Sequence, residues 1–327
     1  MTLRDKTING VIWNAISNFS VKGVDFVVGI ILARLLTPQE FGLIGTITIF
    51  LVLSEVFINS GFNQALIRKQ DCTQKDYSTA FYFNFSVAII LFVVLFVSAG
   101  PISKYFNESQ LKTLVQVLGI GLIISSLTLV QQSILVKRID FKLQTKINFI
   151  SSIISGVIAI IMAFKGFGVW SLVARNLLNR GLISLFLWLW NKWKPGRVFS
   201  KKSFNDLFGF GSKLLLSGLI GTLLNNLNYL IIAKYFSTSE LGYFTRAEMF
   251  KKLPSESISS IITTVAYPVL AKVQDDKILL KQYFRKMFIN TFFIIAILMF
   301  GMAAISETLI LTLIGNQWYP TVTLLQL

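Results

Sequence analysis

Apolar residues in this chain fall in blocks of about 20, and short segments rich in charge, proline or glycine separate the blocks. A helix of about 20 apolar residues is long enough to cross a hydrocarbon layer about 30 Å thick. The pattern predicts nine spans and the start of a tenth near Pro320, with the nine at about 8–33, 41–62, 77–99, 113–135, 147–163, 169–190, 207–233, 241–270 and 287–305. We therefore expect an all-α integral membrane protein.

Composition agrees with this fold class and narrows the chemistry. Hydrophobic residues make up 54% of the chain and charged residues only 14%, whereas a soluble domain carries about 25% charge. The single cysteine, Cys72, excludes an internal disulfide, and the absence of histidine removes the usual zinc ligand and catalytic base. The sequence also has no nucleotide-binding loop and no cluster of metal ligands. We expect no cofactor and no metal.

The net charge of +16 predicts an orientation in the membrane. With the N-terminus in the cytoplasm, the loops on the inner side hold 19 Lys and Arg residues and those on the outer side hold 5. This asymmetry follows the positive-inside rule, which explains the basic residues better than a nucleic-acid partner does. The first seven residues are polar and no cleavage site of small residues follows, so we expect a first helix that is retained rather than a cleaved signal peptide.

An internal repeat predicts the architecture. The segment ILARLLTPQEFGL at 31–43 matches IIAKYFSTSELGY at 231–243 with an offset of 200. Six spans separate the two copies, so both have the same orientation, which is typical of two six-helix lobes around a central cavity. We predict an N-lobe at 1–200 and a C-lobe at 201–327 that is incomplete in this chain. The alternative is a chance likeness of two turns that both carry a Thr or Ser cap and a Glu.

Basic residues inside the spans are candidates for binding, because a charge at bilayer depth costs several kcal/mol unless it faces protein or water. A positive lining between the lobes would attract a pyrophosphate. The candidate binding residues are Lys22, Lys213, Arg246, Arg175 and Arg180. Two structural alternatives remain: Lys22 could pair with Asp25 three residues away, and Lys213 and Arg246 could reach water at an interface.

Carboxylates and asparagines inside the spans form a second group of candidates. Asp25, Glu55 and Glu256 could bind a coupling proton or sodium ion, although a structural hydrogen bond would also explain them. Hydrogen-bonding side chains in an apolar cavity suit a sugar. The candidates for such a polar lining are Asn176, Asn179, Asn225 and Asn226.

Seven segments together carry a resemblance to a known family. They are ILARLLTPQEFGL at 31–43, GFNQALIRK at 61–69, STAFYFN at 78–84, LVKRIDFK at 135–142, GFGVWSLVAR at 166–175, YFTRAEMFKKLP at 243–254 and TTVAYPVLAKVQDD at 263–276. The chain resembles the Wzx-type polysaccharide exporters of the multidrug/oligosaccharidyl-lipid/polysaccharide exporter superfamily, especially the branch of colanic acid and teichuronic acid exporters.

This resemblance implies a V of two lobes that alternates between inward and outward openings. The implied function is to flip an undecaprenyl-pyrophosphate-linked oligosaccharide across the bacterial inner membrane, with other polysaccharide-assembly proteins as partners. In similar flippases basic residues on the first, second, seventh and eighth helices line the cavity, and Lys22, Lys213 and Arg246 match that description here, with Asp25 and Glu55 beside them. The second span has no basic residue, so this match is incomplete.

Three alternatives to the flippase remain open. A drug exporter of the same superfamily is disfavoured by a positively charged cavity. A membrane-embedded polymerase or glycosyltransferase is disfavoured because the longest predicted loop has about 16 residues, too few to hold an acceptor sugar. A truncated chain that transports nothing is the third.

Overall fold

The computed structural model describes residues 3–252, 254–255 and 276–327, and within these ranges every regular element is helical. The helices include α1 Leu3–Leu35, α2 Pro38–Asn59, α3 Phe62–Arg68, α4 Gln74–Phe106, α5 Gln110–Lys137, α6 Phe141–Phe164, α7 Val169–Trp190, α8 Lys201–Tyr235, α10 Lys277–Ala304 and α11 Ser306–Leu313. Helix α9 covers 238–252, and a short α12 covers Pro320–Gln326.

The prediction of an all-α membrane protein is confirmed. Among the described residues, seven segments are long and apolar enough to cross a membrane. They are Pro38–Arg68, Gln74–Phe106, Gln110–Lys137, Phe141–Phe164, Val169–Trp190, Lys201–Tyr235 and Ile278–Ala304. Helix α1 has 33 residues, enough to span about 50 Å at the helical rise, but it is more polar than these seven.

Two details differ from the predicted spans. The second predicted span, 41–62, ends close to the end of α2 at Asn59, but the short helix α3 that follows Ser60 and Gly61, with their positive φ of 44° and 68°, was not predicted. Helix α11 was not predicted, because its eight residues are too few for a span. The part of the predicted span 241–270 that follows Lys252 lies largely outside the described residues.

The repeat is visible in the helix boundaries. Helices α1 and α8 end at Leu35 and Tyr235, and α2 and α9 begin at 38 and 238, so the offset of 200 holds to the residue. The backbone N–H groups of Thr37 and Ser237 donate to the carboxylates of Glu40 and Glu240, at 2.6 and 2.7 Å. The same capping interaction therefore ends both turns. The lobe boundary at 200/201 stays a prediction.

Tight packing brings α2 and α9 together at the end of the bundle that carries these two turns, here called the turn end. A Cβ added to Gly42 of α2 would lie 1.7 Å from the carbonyl oxygen of Thr238, and one added to Gly242 would lie 1.9 Å from that of Pro38. Each glycine thus packs against the first residue of the other helix. Because the two contacts are reciprocal, the two repeats meet here in an approximately two-fold arrangement.

Elsewhere the helices pack in a pattern that leaves room at the centre. Helix α1 packs on α6, α6 on α7, and α5 on both α4 and α7, while α2 lies between α5 and α8. Buried Trp318, near the start of α12, makes edge contacts with the rings of Phe41 and Tyr243. The apolar surface of α10 is exposed.

Candidate functional site: a charged cavity between five helices

A cavity of about 820 Å³ lies between α1, α2, α5, α7 and α9. Its lining includes five basic side chains, from Lys22, Arg175, Arg180, Arg246 and Lys252, and two carboxylates, from Asp25 and Glu55. The remaining lining is divided between apolar and neutral polar side chains. The cavity therefore has a net positive charge inside a membrane-spanning bundle.

Arg175 of α7 is neutralised by Asp25 of α1. Its guanidinium donates to the Asp25 carboxylate at 2.8 Å, and Ser152 of α6 donates to the same oxygen at 2.8 Å. Three helices meet at this carboxylate. Asp25 is thus paired across helices with Arg175.

Arg180, a little more than one turn further along α7, holds a second ion pair. It pairs with Glu55 of α2, donates to the Ser125 hydroxyl of α5 at 2.7 Å and donates to the Asn176 side-chain oxygen at 2.9 Å. A Cβ on Gly121 would lie only 3.2 Å from the Arg180 side chain, so this glycine leaves room for the arginine to cross α5. The pair therefore joins α2, α5 and α7.

Arg246 of α9 differs from the other two arginines. Its guanidinium lies 4.1 Å from the centre of the Phe41 ring, and one of its terminal nitrogens is 3.1 Å from the Met249 sulfur. Its Nε is buried without a hydrogen-bond partner, and no carboxylate among the described residues forms an ion pair with it. A cation–π contact orients the guanidinium but leaves its donors for an anion.

The two lysines of the cavity have contacts of their own. Lys22 lies in the lining, as its position in the first span predicts, and it is in contact with other groups. Lys252, which sequence reasoning did not single out, pairs with Glu248 at 3.1 Å. Glu248 also lies 3.3 Å from Lys251, so one carboxylate is shared by two lysines.

Not every candidate residue reaches this cavity. Asn176 and Asn179 line it, and Asn179 donates to Ser155 at 3.3 Å. Lys213 and Asn225 are exposed on α8 outside the lining, and Asn226 donates to the Thr222 carbonyl oxygen at 2.8 Å. Glu256 lies outside the described residues.

Sequence reasoning missed a polar wall of the cavity. Helix α5 contributes Ser125, Thr128 and Gln132, and the end of α2 contributes Asn59. Positions 125, 128 and 132 follow i, i+3, i+7 spacing, which puts them on one helical face. That spacing in an apolar span was the signal that could have identified the wall.

Comparisons with known proteins agree with the fold and the sequence pattern. The chain is 27% identical over 326 residues to the teichuronic acid biosynthesis protein TuaB of Bacillus subtilis (strain 168), covering 99% of this chain and 68% of that protein. It is 26% identical over 330 residues to the succinoglycan biosynthesis transport protein ExoT of Rhizobium meliloti (strain 1021), covering 100% and 67%. The lipopolysaccharide biosynthesis protein WzxC of Escherichia coli (strain K12) is 24% identical, with 100% and 67% covered. The chain thus spans about two thirds of the length of these relatives.

Two solved structures share the fold. The lipid II flippase MurJ in an inward closed conformation superposes with a TM-score of 0.75 at 15% identity, covering 97% of this chain and 71% of MurJ. An inward-facing multidrug resistance MATE family transporter gives a TM-score of 0.70 at 15% identity, covering 97% and 79%. Both neighbours are transporters. The model of the polysaccharide biosynthesis protein family matches residues 31–323, so the chain belongs to that family and the resemblance to polysaccharide exporters is confirmed.

Proposed function

We propose that this protein moves a lipid-linked oligosaccharide across the bacterial inner membrane, from the cytoplasmic leaflet to the outer leaflet, by alternating access. The substrate carries a pyrophosphate between its lipid and its sugar. The observation that carries the proposal is the net positive cavity inside a membrane-spanning bundle, with Arg246 unpaired by any described carboxylate. The names of the relatives, which concern teichuronic acid, succinoglycan and lipopolysaccharide, support the substrate class.

Arg246 is the main binding residue for the pyrophosphate in this proposal. Charge-assisted hydrogen bonds from guanidinium to phosphate oxygens are among the strong ones in proteins. Arg175 and Arg180 would have to give up Asp25 and Glu55 before they could bind the same anion, and breaking each of these partly exposed pairs costs about 1 kcal/mol. Arg246 needs no such exchange, since it stacks on Phe41 with its Nε unpartnered.

Asp25 and Glu55 remain the candidates for ion coupling. Each is held by an arginine on α7, so an anion that competes for that arginine would release the carboxylate for a proton or sodium ion. Substrate binding and ion binding would then favour each other. Glu256 keeps its predicted coupling role as a third candidate.

The orientation is part of the proposal. The loop after α3 carries Lys69, the loop after α5 carries Arg138 and the loop after α7 carries Lys192 and Lys194, all at the end of the bundle opposite the turn end. Under the positive-inside rule this end faces the cytoplasm, which places the N-terminus there too and the turn end outside. Other polysaccharide-assembly proteins would supply the substrate on the cytoplasmic side.

A drug exporter is the second candidate, because the MATE transporter shares the fold at a TM-score of 0.70. Cationic drugs would be repelled by a lining in which five basic side chains outnumber two carboxylates. Membrane-embedded enzymes are disfavoured by the transporter fold of both structural neighbours.

Replacing Arg246 tests the proposed function. We expect Arg246→Gln to weaken binding of a polyprenyl-pyrophosphate oligosaccharide by about tenfold or more, since hydrogen bonds to a charged group contribute about 1.5–3 kcal/mol. Arg246→Lys should keep part of the affinity, because it keeps the charge and loses the fork of donors. Binding to the purified protein in nanodiscs and flipping in proteoliposomes are the measurements.

The matched control is Arg285→Gln, which removes the same charge from an exposed position on α10 outside the cavity. It should bind and flip the substrate like the wild type. Wild-type affinity and flipping in Arg246→Gln, or equal losses in both variants, would show that the cavity is not where the pyrophosphate binds.

A further inference from the structure

The neutral polar wall of the cavity has two side-chain amides that lack a hydrogen-bond partner among the described residues. Asn59, at the last turn of α2, and Gln132 of α5 both line the cavity, and neither makes a hydrogen bond with any described residue. The Asn59 side-chain oxygen is buried as well. Because a buried polar atom without a partner costs about 1–3 kcal/mol, the Asn59 oxygen favours a ligand at this wall, and the partly buried Gln132 amide has donors and an acceptor for the same ligand.

The other neutral polar side chains of the lining each make at least one hydrogen bond. The Thr128 hydroxyl donates to the Ser125 carbonyl oxygen at 2.7 Å, and the Ser125 hydroxyl accepts from Arg180. Asn176 accepts from Arg180, and Asn179 donates to Ser155. Asn59 and Gln132 differ from them because neither of their amides makes a side-chain hydrogen bond to a described residue.

The two amides belong to elements that touch each other. Ser133, next to Gln132, donates to the side-chain oxygen of Asn63 on α3, the helix that follows Asn59 after a short turn. Apolar Ile58 and Leu129, which also line the cavity, neighbour the amides in sequence. This wall therefore combines amides, which both donate and accept, with apolar surface.

That combination fits an uncharged sugar. Sugar hydroxyls donate and accept, as amides do, and the C–H faces of the ring need apolar contact. All lining residues that α5 contributes are uncharged, so nothing on this helix would favour an anionic group over a neutral one. The positive charge lies on α1, α7 and α9 instead.

We propose that Asn59 and Gln132, with Ile58 and Leu129 beside them, form a glycan subsite for an uncharged sugar next to the pyrophosphate. This inference rests on the proposed function and deepens it, because it divides the cavity into a cationic wall for the pyrophosphate and a neutral wall for the sugar. The cavity thereby recognises two parts of one substrate with two different surfaces.

Two lipids that differ only in the sugar test this division. The probes are polyprenyl pyrophosphate with and without a neutral monosaccharide, bound to the full chain in nanodiscs. Asn59→Leu and Gln132→Met remove the amides at nearly constant volume, which a packed bundle tolerates. We expect each to lower affinity for the glycosylated lipid about fivefold and the pair about 25-fold, with no change for the bare pyrophosphate.

Gln64→Met is the matched control, because Gln64 is exposed on α3 and does not line the cavity. It should bind both lipids like the wild type, and unchanged melting temperatures in detergent check folding. Equal losses for the two lipids, or no loss for the glycosylated one, would overturn the subsite while leaving the pyrophosphate site intact. A wild-type protein that binds neither lipid would instead overturn the proposed function, and the subsite with it.

Discussion

The contact between α2 and α9 at the turn end depends on two glycines, and replacing them gives a sharp structural prediction. In Gly42→Ala the new Cβ would lie 1.7 Å from the carbonyl oxygen of Thr238, and in Gly242→Ala it would lie 1.9 Å from that of Pro38. Ordinary contacts between carbon and oxygen are about 3.3–3.6 Å. Each substitution must therefore move α2 and α9 apart by about 1.5 Å, since a backbone carbonyl cannot rotate away as a side chain can.

The energetic cost follows from this overlap. Overpacking a tight contact costs about 1–3 kcal/mol. The better helix propensity of alanine does not offset this cost, because both positions are helical whether α2 and α9 touch or lie apart. A cost of about 1–3 kcal/mol lowers the ratio of touching to separated helices at the turn end about 5- to 150-fold. The two substitutions should have similar effects, because the two contacts are reciprocal.

Distances between spin labels at Gln39 and Phe236, both exposed near the turn end, would measure this shift in a Cys72→Ser background. We expect a longer and broader distance distribution for Gly42→Ala and Gly242→Ala. Gly221→Ala on α8 is the control, because a Cβ there meets no atom within 4 Å. Wild-type distances and melting temperatures in both glycine variants would refute the argument from backbone contact.

Two further predictions concern the packing around the cavity. Trp318 is fully buried and donates to the Ala33 carbonyl oxygen at 2.8 Å. Trp318→Ala should therefore destabilise the protein by about 3–5 kcal/mol, and Trp318→Phe by less, in thermal unfolding in detergent. Equal melting temperatures for the wild type and both variants would contradict this. Glu55→Gln and Arg180→Gln should each lower the free energy of unfolding. The double variant should lose less than the sum of the two single losses, because the pair is broken only once. We expect this difference to be only about 1 kcal/mol, since the Glu55 and Arg180 side chains are 35% and 25% exposed. Strict additivity would show that the pair contributes nothing.

The sequence predicts the helices and the repeat well, because both depend on local signals. Span length follows from apolar runs, and the Thr37–Glu40 and Ser237–Glu240 caps sit within four residues. The pairing of Arg175 with Asp25 could not be predicted from local sequence, since the two residues are 150 positions apart. How helices rotate against one another decides such pairs, and only packing sets that rotation.

The offset also could not show which equivalent residues share an environment. Asp25 and Asn225 occupy the same position in the repeat, yet Asp25 lines the cavity and Asn225 is exposed. Asp25 accepts from Ser152 of α6 and from Arg175 of α7. Among the described residues no hydrogen bond of this kind reaches Asn225. Equivalent positions therefore have equivalent roles only where the surrounding helices are equivalent too.

A charged residue deep in the membrane is energetically costly, but whether that residue is already paired decides which ligand it can bind. Arg175, Arg180 and Arg246 all line one cavity, and the first two are held by carboxylates. An anion that displaced either carboxylate would leave it unpaired, at a cost of about 1 kcal/mol for a partly exposed pair, unless the carboxylate took up a proton or metal ion. Arg246 binds an anion without that cost. A pyrophosphate would thus bind first at α9, and its further approach to α7 would be the step that depends on pH or on a coupling ion.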